Sequence, residues 1–139
     1  NLMRLYARHC GLIYDPALVT VPEPETFLTV TGSRSLWWRE YVRRRRLPDG
    51  RRQLIVHLIN TPSGENVNVK APAPPPQKDV KIEWRTETDK KPEKAFVISA
   101  DGMAGPRTTP LKLTHKGKIS QVTVPRLQQW CIVVFEGGE

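Results

Sequence analysis

The chain has 139 residues, the length of one domain, and 38% of them are hydrophobic, enough for one core but hardly two. It carries 22 Lys+Arg against 14 Asp+Glu, a formal net charge of +8, which suits either an anionic partner or a solvated face with one arginine-rich strand. No stretch approaches the roughly 18 apolar residues of a helical membrane span, so no membrane partner is expected.

Residues 1–14, NLMRLYARHCGLIY, read as an amphipathic helix. Leu2, Leu5, Tyr6 and His9 share a stripe that Leu12 and Ile13 continue, while Arg4 and Arg8 lie elsewhere. Asp15-Pro16 ends the helix, because proline disfavours helical geometry in the residue before it. A helix this short is marginal alone in water. Its stripe therefore packs on the following domain, or it is the last helix of a domain upstream. Asn1 precedes a helical pattern already under way, as expected of a piece of a longer chain. Residues 15–26 hold three prolines and no period, and read as a stiff linker.

From residue 27 to 136 the pattern is strand-like. Phe27–Val30 is short. Leu36–Arg46, LWWREYVRRRR, reads as one long strand, with Leu36, Trp38 and Val42 on one side and Trp37, Arg39, Tyr41 and Arg43 on the other. Leu47-Pro48-Asp49-Gly50 is a turn, and Gln53–Asn60 returns as an antiparallel partner, apolar on both faces. A long loop over 61–78 includes the polyproline-like stretch 71–76. Val80, Ile82 and Trp84 alternate with charged residues, and Lys94–Ala100 is apolar. Leu111–Leu113, Lys118–Val124 and Trp130–Phe135 complete the set, with a turn expected at His115–Gly117. The fold expected is all-β: an antiparallel β-sandwich of about eight strands, preceded by one amphipathic helix.

Little in the chain points to chemistry. His9, His57 and His115 lie in separate elements, with no spacing suited to a metal, so no metal or cofactor is expected. His57 reads as a hydrogen-bonded core histidine. No serine or cysteine has the context of an activated nucleophile. Glu40 is the one acid whose strand phase turns it inward, and a glycosidase needs two. Asp101 begins a loop and reads equally well as a turn residue. Cys10 and Cys131 read as small buried hydrophobes without a bridge between them. The expectation is a non-catalytic chain.

Of the four tryptophans, Trp38 and Trp84 share the apolar phase of their strands, and Trp130 sits beside Leu127 at the start of the last strand. Trp37 is the exception. Its face with Arg39, Tyr41 and Arg43 is either covered by the helix or an upstream domain, or is an aromatic-basic platform for a sugar or nucleic acid. Nucleic acid is the less expected ligand, because the aromatics stop at Tyr41 and later strands do not extend the platform. Trp37, Arg39, Tyr41 and Arg43 are the candidate ligand-binding residues.

Three segments in order, LIYDP (Leu12–Pro16), the paired LWWREYVRRRR and QLIVHLIN, and VPRLQQWCIVVF (Val124–Phe135), with ISADG (Ile98–Gly102) between, carry a resemblance. They resemble the C-terminal β-sandwich of multidomain glycoside hydrolases of family 66, the dextranase and cycloisomaltooligosaccharide glucanotransferase type. The basic run Arg43–Arg46 and the proline-rich 71–76 depart from that pattern. The resemblance implies that residues 1–14 end a catalytic barrel and that the catalytic acids lie upstream, with none to carry onto this chain. It also implies the upstream catalytic domain as partner, a polysaccharide as ligand, and an extracellular or periplasmic location. The function expected is an accessory domain of a carbohydrate-active enzyme. The alternatives are a scaffold domain without a ligand, or a basic nucleic-acid-binding barrel.

Overall fold

The computed structural model describes residues 2–32, 36–61, 74–86, 90–101 and 105–138. In chain order the elements are α1 (Leu2–Ile13), β1 (Val19–Thr20), β2 (Leu28–Thr31), β3 (Leu36–Trp37), β4 (Val42–Arg46), β5 (Arg52–Asn60) and β6 (Gln77–Arg85). They continue with β7 (Lys94–Ser99), β8 (Arg107–Leu111), β9 (Thr114–Lys116), β10 (Ile119–Leu127) and β11 (Trp130–Gly137). All strand pairs are antiparallel. The larger sheet runs β1-β4-β5-β11-β7-β8, with β3 also paired to β5, and the smaller runs β2-β6-β10-β9. The expected antiparallel sandwich with one leading helix is the observed fold.

The strands form where the period-2 pattern is clear. Leu54, Val56 and Leu58 of β5 and Cys131, Val133 and Phe135 of β11 point between the sheets. There they meet Val80 and Ile82 of β6 and Val122 and Val124 of β10. Trp84 joins this core edge-on to Phe135, with ring centroids 5.5 Å apart. The hairpin between β4 and β5 turns as expected: the Gly50 amide donates to the Leu47 carbonyl at 2.9 Å, and Gly50 adopts φ +90°. Pro110 is tolerated because β8 is an edge strand and needs no outward donor. The β6–β10 ladder skips the Asp79–Pro125 pair, where proline has no N–H to give and Asp79 takes φ +51°.

Several boundaries differ from expectation. Eleven strands appear among the described residues rather than about eight. The linker 15–26 is not a free connection: β1 pairs with β4, and Val21 and Pro24 are buried. Its prolines interrupt strand pairing without preventing it, since a two-residue strand needs little unbroken chain. His115 lies within β9, and the turn sits at Gly117, which takes φ +58°. Most of the proline-rich loop, residues 62–73, lies outside the described residues, as does Gly102 of ISADG.

The helix packs on the domain itself. Leu5 and Leu12 are buried against Ile55, Ile98, Ile132 and Val134, the outward residues of β5, β7 and β11. The larger sheet is thus apolar on both faces, which explains why β5 and β11 alternate so weakly. Tyr6, expected on the buried stripe, is 47% exposed: Leu5 faces the sheet and Tyr6, the next residue, lies about 100° around the helix from it. The backbone departs from helical geometry at His9 (φ −129°, ψ 25°). Cys10 also proves exposed while Cys131 is buried, and both are free thiols.

Candidate functional site

The segment expected as one strand is broken. After β3, a 3-10 turn covers Arg39–Tyr41, with the Tyr41 amide donating to the Trp38 carbonyl at 2.9 Å, and β4 begins only at Val42. Trp38 and Val42 still face the core. The turn nevertheless resets the alternation, because its three residues do not follow a period of two. Trp37, Arg39, Tyr41 and Arg43 therefore do not form one strand face. The Arg39 guanidinium lies 4.9 Å over the ring of Trp38, not Trp37. Arg43 folds back, its Nη1 donating to the carbonyls of Glu40 at 2.8 Å and Val42 at 3.1 Å. Tyr41 is half-buried, and Glu40 is exposed rather than turned inward.

Trp37 keeps its prominence for a different reason. It pairs with Ile59, which pairs on its other side with Trp130, so the three occupy one row across β3, β5 and β11. This row continues the outer face just past the end of α1. Trp37 is 51% exposed and Tyr14, beyond the helix end, is 78% exposed. The helix does not cover Trp37.

Next to this row the helix is fastened by His57. The Trp130 indole Nε1 donates to His57 Nδ1 at 3.3 Å, and the rings lie 22° from parallel. With Nδ1 accepting, the proton sits on Nε2, which donates to the Leu12 carbonyl at 3.3 Å. Burial, opposed by the Leu12 carbonyl and assisted by the Arg43 charge, lowers the His57 pKa from 6.5 to about 4. The imidazole is therefore neutral and locked in one tautomer.

At the opposite end of the same face runs a polar ladder. Arg45, Gln53, Glu136 and Lys94 are cross-strand neighbours on β4, β5, β11 and β7. Arg45 Nε donates to Gln53 at 2.8 Å, Gln53 Nε2 to Glu136 at 2.6 Å, and Lys94 Nζ lies 2.8 Å from Glu136. Arg51 adds a second cation at 2.5 Å. Burial would raise the Glu136 pKa, but the bonds from Lys94 and Gln53 and the charges of Lys94 and Arg51 outweigh it and hold the carboxyl below its usual range. Arg45 Nη1 also donates to the Gly11 carbonyl and to Asp15 at 2.8 Å, tying the helix end to the sheet.

Sequence reasoning missed how the motif segments converge. Asn60 Nδ2 donates to the carbonyls of Pro75 and Gln128, both at 2.9 Å. Asp101 accepts from the amides of Gln128 at 2.6 Å and Gln129 at 3.1 Å. The Asn of QLIVHLIN, the Asp of ISADG and the turn of VPRLQQW are thus one hydrogen-bonded junction, and Asp101 is a turn residue. Three short motifs spaced along the chain were the available signal, but none carries a chemical signature alone.

This is a two-sheet sandwich with a leading helix pinned to one face and an aromatic row beside it. Solved structures share this fold. A cycloisomaltooligosaccharide glucanotransferase from Paenibacillus sp., solved with cycloisomaltoheptaose, superposes with TM-score 0.72 at 19% identity over 94% of this chain and 19% of that one. An alpha-L-fucosidase isoenzyme 2 from Paenibacillus thiaminolyticus gives TM-score 0.56 at 18% identity, over 84% of this chain and 16% of that one. Residues 40–134 match the model of glycosyl hydrolase family 66, and the chain belongs to that family. It spans about a fifth of the length of the glucanotransferase. No curated protein sequence matches significantly.

Proposed function

We propose that this chain is a non-catalytic accessory domain of a larger carbohydrate-active enzyme, seated against that enzyme's catalytic domain and touching glycan through Trp37. The observation that carries the reading is the half-exposed indole of Trp37 in a row with Ile59 and Trp130. Indole faces stack on the apolar faces of pyranose rings. The described carboxylates with assigned partners support the non-catalytic part: Asp15, Asp49, Asp101 and Glu136 are engaged in ion pairs or turn capping.

Trp37→Ala is expected to weaken binding to α-glucans while the fold stays intact; unchanged binding across a polysaccharide panel removes the Trp37 contact. Glycan hydrolysis by the chain alone would refute the non-catalytic reading. The net charge of +8 favours testing nucleic acid as a second ligand class. Affinity for it falls steeply with salt, whereas sugar stacking barely changes.

A further inference from the structure

A cleft of about 360 Å³ opens between the kinked part of α1 and the outer face of the larger sheet. It is at the small end of the range for ligand pockets. Arg8 and His9 line it from the helix, Arg45 and Gln53 from β4 and β5, Phe96 and Thr108 from β7 and β8. Among the described residues no acidic side chain lines it.

One wall is braced by hydrogen bonds within the protein. Arg45 is held by Gln53, Asp15 and the Gly11 carbonyl, and Gln53 is held in turn by Glu136. Gly11 permits this: a Cβ there would stand 3.0 Å from Arg45 Nη1. The side chains of Arg8, His9 and Thr108 have no polar partner among the described residues. They form a rim of donors and acceptors around the half-buried ring of Phe96.

The charges differ around the cleft: Arg45 in the wall is paired, while the exposed Arg8 guanidinium on the rim keeps its charge without an acidic partner among the described residues. The Arg45 charge is compensated by Asp15 at 2.8 Å. Burial, aided by the Arg8 charge, lowers the His9 pKa below its ordinary 6.5, so that its imidazole is mainly uncharged at neutral pH and both donates and accepts. Around the aromatic floor stand three hydrogen-bonding groups: the Arg8 guanidinium, the His9 imidazole and the Thr108 hydroxyl.

We propose that this cleft is a second glycan contact that takes one pyranose unit of a neutral oligosaccharide, its apolar face on Phe96 and its hydroxyls on Arg8, His9 and Thr108. The proposal rests on the reading of the chain as part of a carbohydrate-active enzyme, but not on Trp37.

The test is titration of the 139-residue chain with isomaltotriose, maltotriose and cellotriose, followed by amide chemical shifts. Saturable shifts are expected at His9, Phe96 and Thr108 with at least one sugar. Arg8→Ala and Thr108→Val, both at exposed positions, should each weaken that binding about fivefold to tenfold, the loss of one hydrogen bond. Phe96→Leu keeps most of the volume but removes the ring, and should weaken it similarly. Trp37→Ala should leave the cleft shifts in place. Wild-type affinity in all three cleft variants, or no cleft shifts with any sugar, overturns the proposal and leaves the accessory role standing. Inorganic phosphate displacing the sugar, with affinity collapsing on added salt, marks an anion site and also overturns it. Hydrolysis of the sugars would sink the non-catalytic reading without touching the cleft.

Discussion

The two faces of the larger sheet are both apolar and yet differ in kind. The inner face meets a second sheet, and residues such as Val133 and Phe135 are fully buried between the two. The outer face meets a single helix, which cannot cover it. At one end it leaves the row Trp37–Ile59–Trp130 with Trp37 half-exposed, and at the other the ladder from Arg45 to Lys94 closes the face with polar groups, Gln53 and Glu136 being buried. The helix is held over the middle by the burial of Leu5 and Leu12 and by directed bonds: His57 to the Leu12 carbonyl, and Arg45 to Gly11 and Asp15. A face closed by a sheet stabilises, while a face partly closed by a helix leaves clefts and ledges where ligands can reach the protein.

Substitutions that empty the inner face should have the largest effect. Phe135→Ala is expected to destabilise by about 4 kcal/mol in denaturant unfolding, because the two sheets cannot collapse into the void.

Acid should act chiefly on the outer face. The unfolded chain binds a proton at His57 with an ordinary pKa of 6.5, the folded one only at about 4. Stability is therefore lost as pH falls from 6.5 and the loss is complete below about 4, approaching about 3 kcal/mol at about 1.4 kcal/mol per pH unit. His57→Gln should flatten the pH dependence of the unfolding midpoint in this window. Glu136 acts lower. Its stability is present above its ordinary 4.5 and is lost as pH falls through its lowered folded value.

Leu5→Ala should cost about 2–3 kcal/mol, less than Phe135→Ala, because a helix on an outer face can settle toward the sheet. Equal losses at the two positions would show that α1 is as integral to the core as β11. Glu136→Gln should cost about 2 kcal/mol, since it keeps the shape but leaves Lys94 without its carboxylate and Arg51 with Asp49 alone. Trp37→Ala should change stability by less than about 0.5 kcal/mol, the level of an exposed position outside the core. A larger loss would mean that the aromatic row is packing rather than contact surface.

Part of this was legible in the residues. Strand alternation, the Pro48-Asp49-Gly50 turn, the breaker at Asp15-Pro16 and the buried histidine at position 57 are local matters, and each is found as expected. Trp38 and Val42 were rightly placed inside, although the continuous strand between them was wrong. A 3-10 turn of three residues and a strand of similar length can leave the same positions buried.

What the chain determined by itself is which positions must leave water, since the period of apolar residues reports burial. What buries them was decided by the tertiary structure. The outward isoleucines of β5, β7 and β11 could have met a sheet, another domain or a helix, and nothing in their spacing names α1. Arg45 reads locally as one of four consecutive arginines. Its neighbours Gly11, Asp15 and Gln53 come from other elements, and only the folded chain distinguishes it from the exposed Arg44. Directed bonds between residues distant in sequence leave no periodic trace, and on the outer face such bonds hold the helix and shape the cleft beneath it.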